Sequence, residues 1–223
     1  MKLVMFDIDG TLTDTHDADI DGFVNAVREV LGIFTIDTNW TSYPHATSEG
    51  VLDEIVRRAT GRPVTVDESL AVRRRFLVHL ERIALREIPG AGAFLRKVSE
   101  AGYAVALASG DWECSARFKL ARAGIPAEPL PAAFCDSAIA RVNIMKVSLE
   151  RARCHYGCVA FDSVLYVGDG SWDVQATRQL GWRFLGVGTH AARLQTLGVR
   201  HVVPDYVAGD SLLATLDECV PPA

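Results

Sequence analysis

The stretch LVMFDIDGTLTD, residues 3–14, decides how this chain is read. Leu3-Val4-Met5-Phe6 is apolar at every position, the pattern of a strand covered on both faces. Directly behind it stand Asp7 and Asp9, then Gly10 and Thr11, with Asp14 a little further on. In extended chain an i, i+2 pair faces the same way. Two carboxylates converging on one point repel each other, and burial raises the cost. A hard cation that takes oxygen ligands, Mg2+ above all, resolves the conflict. One carboxylate can then serve as a nucleophile and the other as general acid and base. Gly10 lets backbone amides approach an anion, and Thr11 adds a hydroxyl donor.

Further along, apolar runs at 103–108, 164–167 and 184–187, and a short one at 201–203, repeat the strand pattern. Segments with helical spacing lie between and beyond them, at 91–101, 113–123, 142–153, 172–180 and 191–197. This alternation argues an α/β fold: a Rossmann-like parallel sheet with right-handed crossovers, flanked by helices. Ligands of such sheets bind at the carboxyl ends of the strands, where Asp7 stands. Residues 15–88 break the rhythm, with helix patterns and no convincing strand. One pattern spans 67–86, with Leu70, Leu77, Leu80 and Ala84 as its apolar set and Asp67 as its N-cap. Another spans 49–59, with Thr47 or Ser48 as the cap. Pro89-Gly90 marks the return to alternation. The organisation expected is an α/β core of residues 1–14 and 89–223 with a helical insertion at 15–88.

The chain has 223 residues, 49% of them hydrophobic, enough for a sizeable core. A formal net charge of -5 leaves no global basic field to hold nucleic acid or an anionic membrane. Arg73-Arg74-Arg75 reads as the solvated side of a helix. No apolar stretch approaches the ~20 residues of a membrane span, and the first residues already read as a strand, so a cytoplasmic protein is expected. The five cysteines are odd in number; Cys154 and Cys158 flank His155 but have no second ligand cluster, which favours reduced thiols over zinc.

FDIDGTLTD resembles the first motif of the haloacid dehalogenase superfamily, in the form typical of its phosphatases, such as the phosphoglycolate phosphatase-type proteins with a helical cap. The resemblance extends over essentially the whole chain. It implies that Asp7 is the covalent nucleophile and Asp9 the acid/base. Ser109, with Gly110, matches the second motif and would donate to the transferring phosphoryl group. Asp169 and Asp173 match the acidic fourth motif, GDxxxD, and would complete a Mg2+ site with Asp7 and the Asp9 backbone carbonyl. The third motif departs from the usual Lys-Pro form, which is absent. Arg141 and Lys146 both remain candidates for its cation. The insertion corresponds to a cap in which His45, Thr47 and Ser48 could reach the leaving group, and Asp14 would mark the hinge into it.

Mg2+-dependent phosphatase action on a small phosphorylated metabolite is therefore expected, in a monomer or homodimer without nucleic-acid or membrane partners. A phosphomutase, or a non-catalytic binding protein of the same fold, is the alternative. A dehalogenase would not need Asp9. A phosphonate hydrolase would need a cap lysine, and no lysine occurs between residues 15 and 89.

Overall fold

The structure is a computed structural model that describes residues 1–188 and 191–223 and, of residues 16–18, the backbone alone. Strand β1 (Leu3–Phe6) is followed by three helices, α1 (His16–Leu31), α2 (Ser48–Thr60) and α3 (Val66–Leu80), with a 3-10 turn at Trp40–Ser42. Alternation then begins with α4 (Ala91–Glu100), β2 (Ala104–Ala108), α5 (Glu113–Arg122) and β3 (Ala132–Ala133). It continues through α6 (Arg141–Tyr156), β4 (Val164–Gly168), α7 (Ser171–Leu180) and β5 (Arg183–Val187). The chain closes with α8 (Ala191–Thr196), β6 (Val202–Val203) and α9 (Gly209–Thr215).

All six strands are parallel, in the order β3-β2-β1-β4-β5-β6. The chain builds outward from β1 in one direction, then returns to its other side to lay down β4. The order thus reverses between β1 and β4, and the crevice at that reversal is where such sheets bind ligands. In β1 the residues alternate between two hydrophobic cores. Leu3 and Met5 pack with Tyr166, Ile144 and Met145; Val4 and Phe6 pack with Phe94, Leu95 and Leu165. Burying each of Met5 and Phe6 contributes about 1.5–3 kcal/mol. That double coverage pins the end of β1, and with it Asp7.

The helices between β1 and α4 contribute no strand to the sheet among the described residues. Helix α1 packs on α3, and Phe23 and Phe76 meet edge to face with centroids 6.2 Å apart. Trp112, from the loop after β2, enters this cluster. It stacks on Phe23 at 5.7 Å, and its indole N–H donates to Glu49 Oε2 at 2.7 Å. The two chain crossings into the helical segment lie side by side. Asp14 N–H donates to the Arg86 carbonyl, and Ile88 N–H to that of Leu12.

One local expectation is corrected and one open choice is settled. Helix α3 is capped by Thr65, not Asp67: the Thr65 hydroxyl accepts from the Glu68 N–H and the Glu68 carboxylate accepts from the Thr65 N–H. Its buried face is Val72, Phe76 and Leu80, whereas Leu70 is exposed and Ala84 lies beyond its end. Thr47, rather than Ser48, caps α2 through the Gly50 N–H. No described helix is long and apolar enough to cross a membrane.

Candidate active site

Asp7 follows β1, Asp169 follows β4, and Asp173 sits in the first turn of α7. Each is fixed by its element. Asp7 N–H donates to the Val167 carbonyl at 2.9 Å, continuing the β1–β4 ladder. The Asp173 carboxylate accepts from the Gly170 N–H at 3.1 Å, satisfying one free donor of the helix start. Gly10 turns the chain back with φ 72°, and a Cβ there would lie 2.0 Å from Asp169 Oδ2, so glycine is required on both counts.

Carboxylate oxygens of Asp7, Asp169 and Asp173 all lie within 4.8 Å of one another. One cation faces them. Arg141, the first residue of α6, places Nη1 3.1 Å from Asp7 Oδ1 and 3.2 Å from Asp173 Oδ1. Burial drives the Asp7 pKa up to about 7; Arg141 opposes that rise, while Asp173 and Asp9 add to it. Burial, Asp7 and Asp173 hold Asp169 well above the carboxylate range. Asp169 Oδ1 is buried with no hydrogen-bond partner. Three carboxylates that share one guanidinium, with Asp169 Oδ1 and Asp173 Oδ1 lacking hydrogen-bond partners, fit a divalent hard cation such as Mg2+.

The Asp9 side chain belongs to a different group. Lys119 Nζ lies 2.6 Å from Asp9 Oδ1, 2.5 Å from Asp19 Oδ1 and 2.6 Å from Asp111 Oδ2. The Lys119 side chain is completely buried. Burial alone would lower its pKa, but the three carboxylates outweigh that and raise it well above its ordinary value. Thr15 also donates to Asp9 Oδ1. Both contacts fall on Oδ1. The Asp9 backbone carbonyl accepts none of the described backbone hydrogen bonds of this turn, leaving it available to a metal.

A chamber of about 80 Å³ joins the two groups, lined among others by Asp7, Asp9, Ser109, Gly110, Thr47 and Ser48. Ser109 is buried, and its hydroxyl accepts from the Asp111 N–H at 3.2 Å. At Gly110 a Cβ would lie 2.7 Å from Arg141 Nη2 and 3.0 Å from the Ala46 carbonyl. The 45–48 loop is docked there: Ser48 N–H donates to the Gly110 carbonyl at 2.8 Å, and Ser48 Oγ to Asp111 at 3.0 Å. The Thr47 hydroxyl donates to the Ile139 carbonyl, so it is engaged within the protein. Thr11 is buried, with its hydroxyl unpartnered.

Two expected residues stand elsewhere. Lys146 is exposed, one turn and a half along α6, and lines an outer cleft of about 410 Å³. His45 is exposed and lines that same cleft, not the chamber with Asp7. The cation at Asp7 is Arg141. The residues that sequence reasoning missed are Lys119, Asp111, Asp19 and Thr15. The one available signal was a lysine on the apolar face of α5, beside Ala116 and Leu120.

A family model described as haloacid dehalogenase-like hydrolase matches residues 1–181. None of the curated proteins matches the chain. Solved structures do. A hydrolase from Pseudomonas syringae is 20% identical with a TM-score of 0.75, covering 98% of this chain and 99% of that one. A Bacteroides vulgatus protein named as a beta-phosphoglucomutase is 18% identical, with a TM-score of 0.70 and coverage of 97% and 90%. A Haemophilus somnus 129PT protein named as a phosphoglycolate phosphatase is 19% identical, with a TM-score of 0.60 and coverage of 96% and 98%. At these identities the likeness is one of fold.

Proposed function

The chain belongs to the haloacid dehalogenase-like hydrolase family, and within it we propose a Mg2+-dependent phosphatase of small phosphorylated metabolites that works through a phosphoryl group carried on Asp7. The observation that carries this reading is the chamber lined by Asp7, Asp9 and Arg141, with a carboxylate oxygen of Asp169, whose Oδ1 is unpartnered, within 4.8 Å of that of Asp7. Asp7, Asp169, Asp173 and the Asp9 carbonyl would hold the metal. When bound it would offset the negative charge of the phosphoryl oxygens.

Asp7 attacks phosphorus and the ester oxygen departs with a proton from Asp9 Oδ2, giving an aspartyl phosphate and a free alcohol. Asp9 then removes a proton from water, whose oxygen attacks phosphorus and releases inorganic phosphate with Asp7 restored. Arg141, held at Asp7, donates to the phosphoryl oxygens, and Ser109 and the Gly110 amide border the same space. Positioned charge and dipoles supply most of the acceleration in such transfers. In this reading residues 1–14 and 89–223 form the catalytic core and 15–88 the cap, with the paired crossings at 12–14 and 86–88 as its hinge. The docked 45–48 loop supports a cap that excludes water from the chamber.

Hydrolysis of acetyl phosphate, compact enough for the chamber, tests the reading. Turnover that needs Mg2+ and disappears in Asp7→Asn is expected; equal rates in the two proteins would overturn it. One inorganic phosphate released per acetyl phosphate consumed, with a hexose present, separates hydrolysis from transfer of the phosphoryl group to a sugar.

A further inference from the structure

On the phosphatase reading, on which this depends, we propose that the substrate's leaving group is a compact alcohol bearing a cationic nitrogen, and that it carries no second anion. The leaving oxygen must lie at Asp9, so the rest of the leaving group occupies the part of the chamber around Asp9. The chamber's lining beside Asp9 includes Asp19 and Asp111 and the apolar Phe23, Trp40 and Val51.

Charge decides what enters. Asp9, Asp19 and Asp111 all contact the single ammonium of Lys119, which is wholly buried; with Asp9 carrying the proton for the leaving oxygen, Asp19 and Asp111 are the two acids that share that one charge. The Lys119 charge is therefore engaged before any ligand arrives. The only cation among the described lining residues is Arg141, which is committed to Asp7 and Asp173 where the phosphoryl group would sit. A carboxylate or second phosphate on the leaving group would face uncompensated acids. Like charges juxtaposed in this way cost several kcal/mol.

The walls point the same way. Phe23 and Trp40 meet edge to face at 5.7 Å and both line the chamber. Aromatic rings near carboxylates suit an ammonium or alkylammonium group. Size limits the choice: about 80 Å³ holds roughly half a dozen waters, enough for a phosphoryl group and a few further heavy atoms. A short O-phosphorylated amino alcohol meets all three conditions.

A matched series tests this: O-phosphoethanolamine, ethyl phosphate and phosphoglycolate, alike in size but cationic, neutral and anionic, with acetyl phosphate as reference. With Mg2+ present, kcat/KM is expected to be at least ~10-fold higher for phosphoethanolamine than for ethyl phosphate. Phosphoglycolate is expected to fall ~100-fold or more below phosphoethanolamine. Trp40→Leu should shrink the first ratio toward one and leave acetyl phosphate turnover the less affected. Ethyl phosphate or phosphoglycolate equal to or better than phosphoethanolamine overturns the proposal while acetyl phosphate turnover keeps the phosphatase reading intact. No turnover of any of the four phosphates overturns both.

Discussion

Among the described residues, two groups of three carboxylates meet at one chamber through Asp7 and Asp9, and each group contacts one cation. Around Lys119 the ammonium reaches all three acids at 2.5–2.6 Å. Around Arg141 the guanidinium reaches two, at 3.1 and 3.2 Å, and leaves Asp169 Oδ1 with no partner. The first group is closed by the protein itself. It ties the turn after β1, the helix α1 and the loop after β2 into one knot. The second is left short of positive charge, which is the condition a metal and a phosphoryl group require. Similar acid counts therefore serve different ends, and the contact geometry of the resident cation tells them apart.

Breaking the open group should have the largest effect. Asp7→Asn removes the proposed nucleophile and is expected to lower kcat for acetyl phosphate by ~10⁴-fold or more, measured by phosphate release. Asp169→Asn is expected to cost ~10²–10³-fold and to abolish the rise in melting temperature that Mg2+ gives the wild type. Breaking the closed group should instead show in stability. Lys119→Met strands the buried Asp111 and the half-buried Asp9 and Asp19, and a loss of about 3–5 kcal/mol is expected in denaturant unfolding.

The open group also sets a pH dependence. Burial raises Asp7 from 3.8 to about 7 in the folded protein. Between those values the folded state holds a proton that the unfolded chain has released. The stability of the metal-free protein should therefore be full below about pH 4 as far as Asp7 is concerned, and fall as pH rises through about 7. Melting temperatures in EDTA across that window would check the sign, and Mg2+ should recover most at the high end. The smallest effect is expected outside both groups. Lys146→Ala should change kcat/KM less than about twofold and stability by no more than about 0.5 kcal/mol.

Much of this arrangement was legible because the residues that build it follow strands with unmistakable patterns. β1 was readable to the residue from Leu3-Val4-Met5-Phe6, and Asp7, Ser109 and Asp169 each stand one residue past a buried parallel strand. Arg141 and Lys146 could not be separated from sequence because the choice turns on where α6 begins, and helix starts without a capping side chain leave little trace; α6 has none. Strand β3 escaped notice because it is two alanines, whose partner is supplied by β2 rather than by their own propensity. The Lys119 knot was invisible for a deeper reason. Its members are spread from Asp9 to Lys119 and come together only when the helical insertion folds back over the loop after β2.

The most direct test of the central claim is to trap the phosphoryl group. Wild-type protein mixed with phosphorus-labelled acetyl phosphate and Mg2+ would be quenched in acid within the first turnover and its peptides mapped. Label on the peptide containing Asp7, absent from Asp7→Asn, is the predicted result. Steady turnover with no labelled protein, or label on a residue other than Asp7, would contradict it.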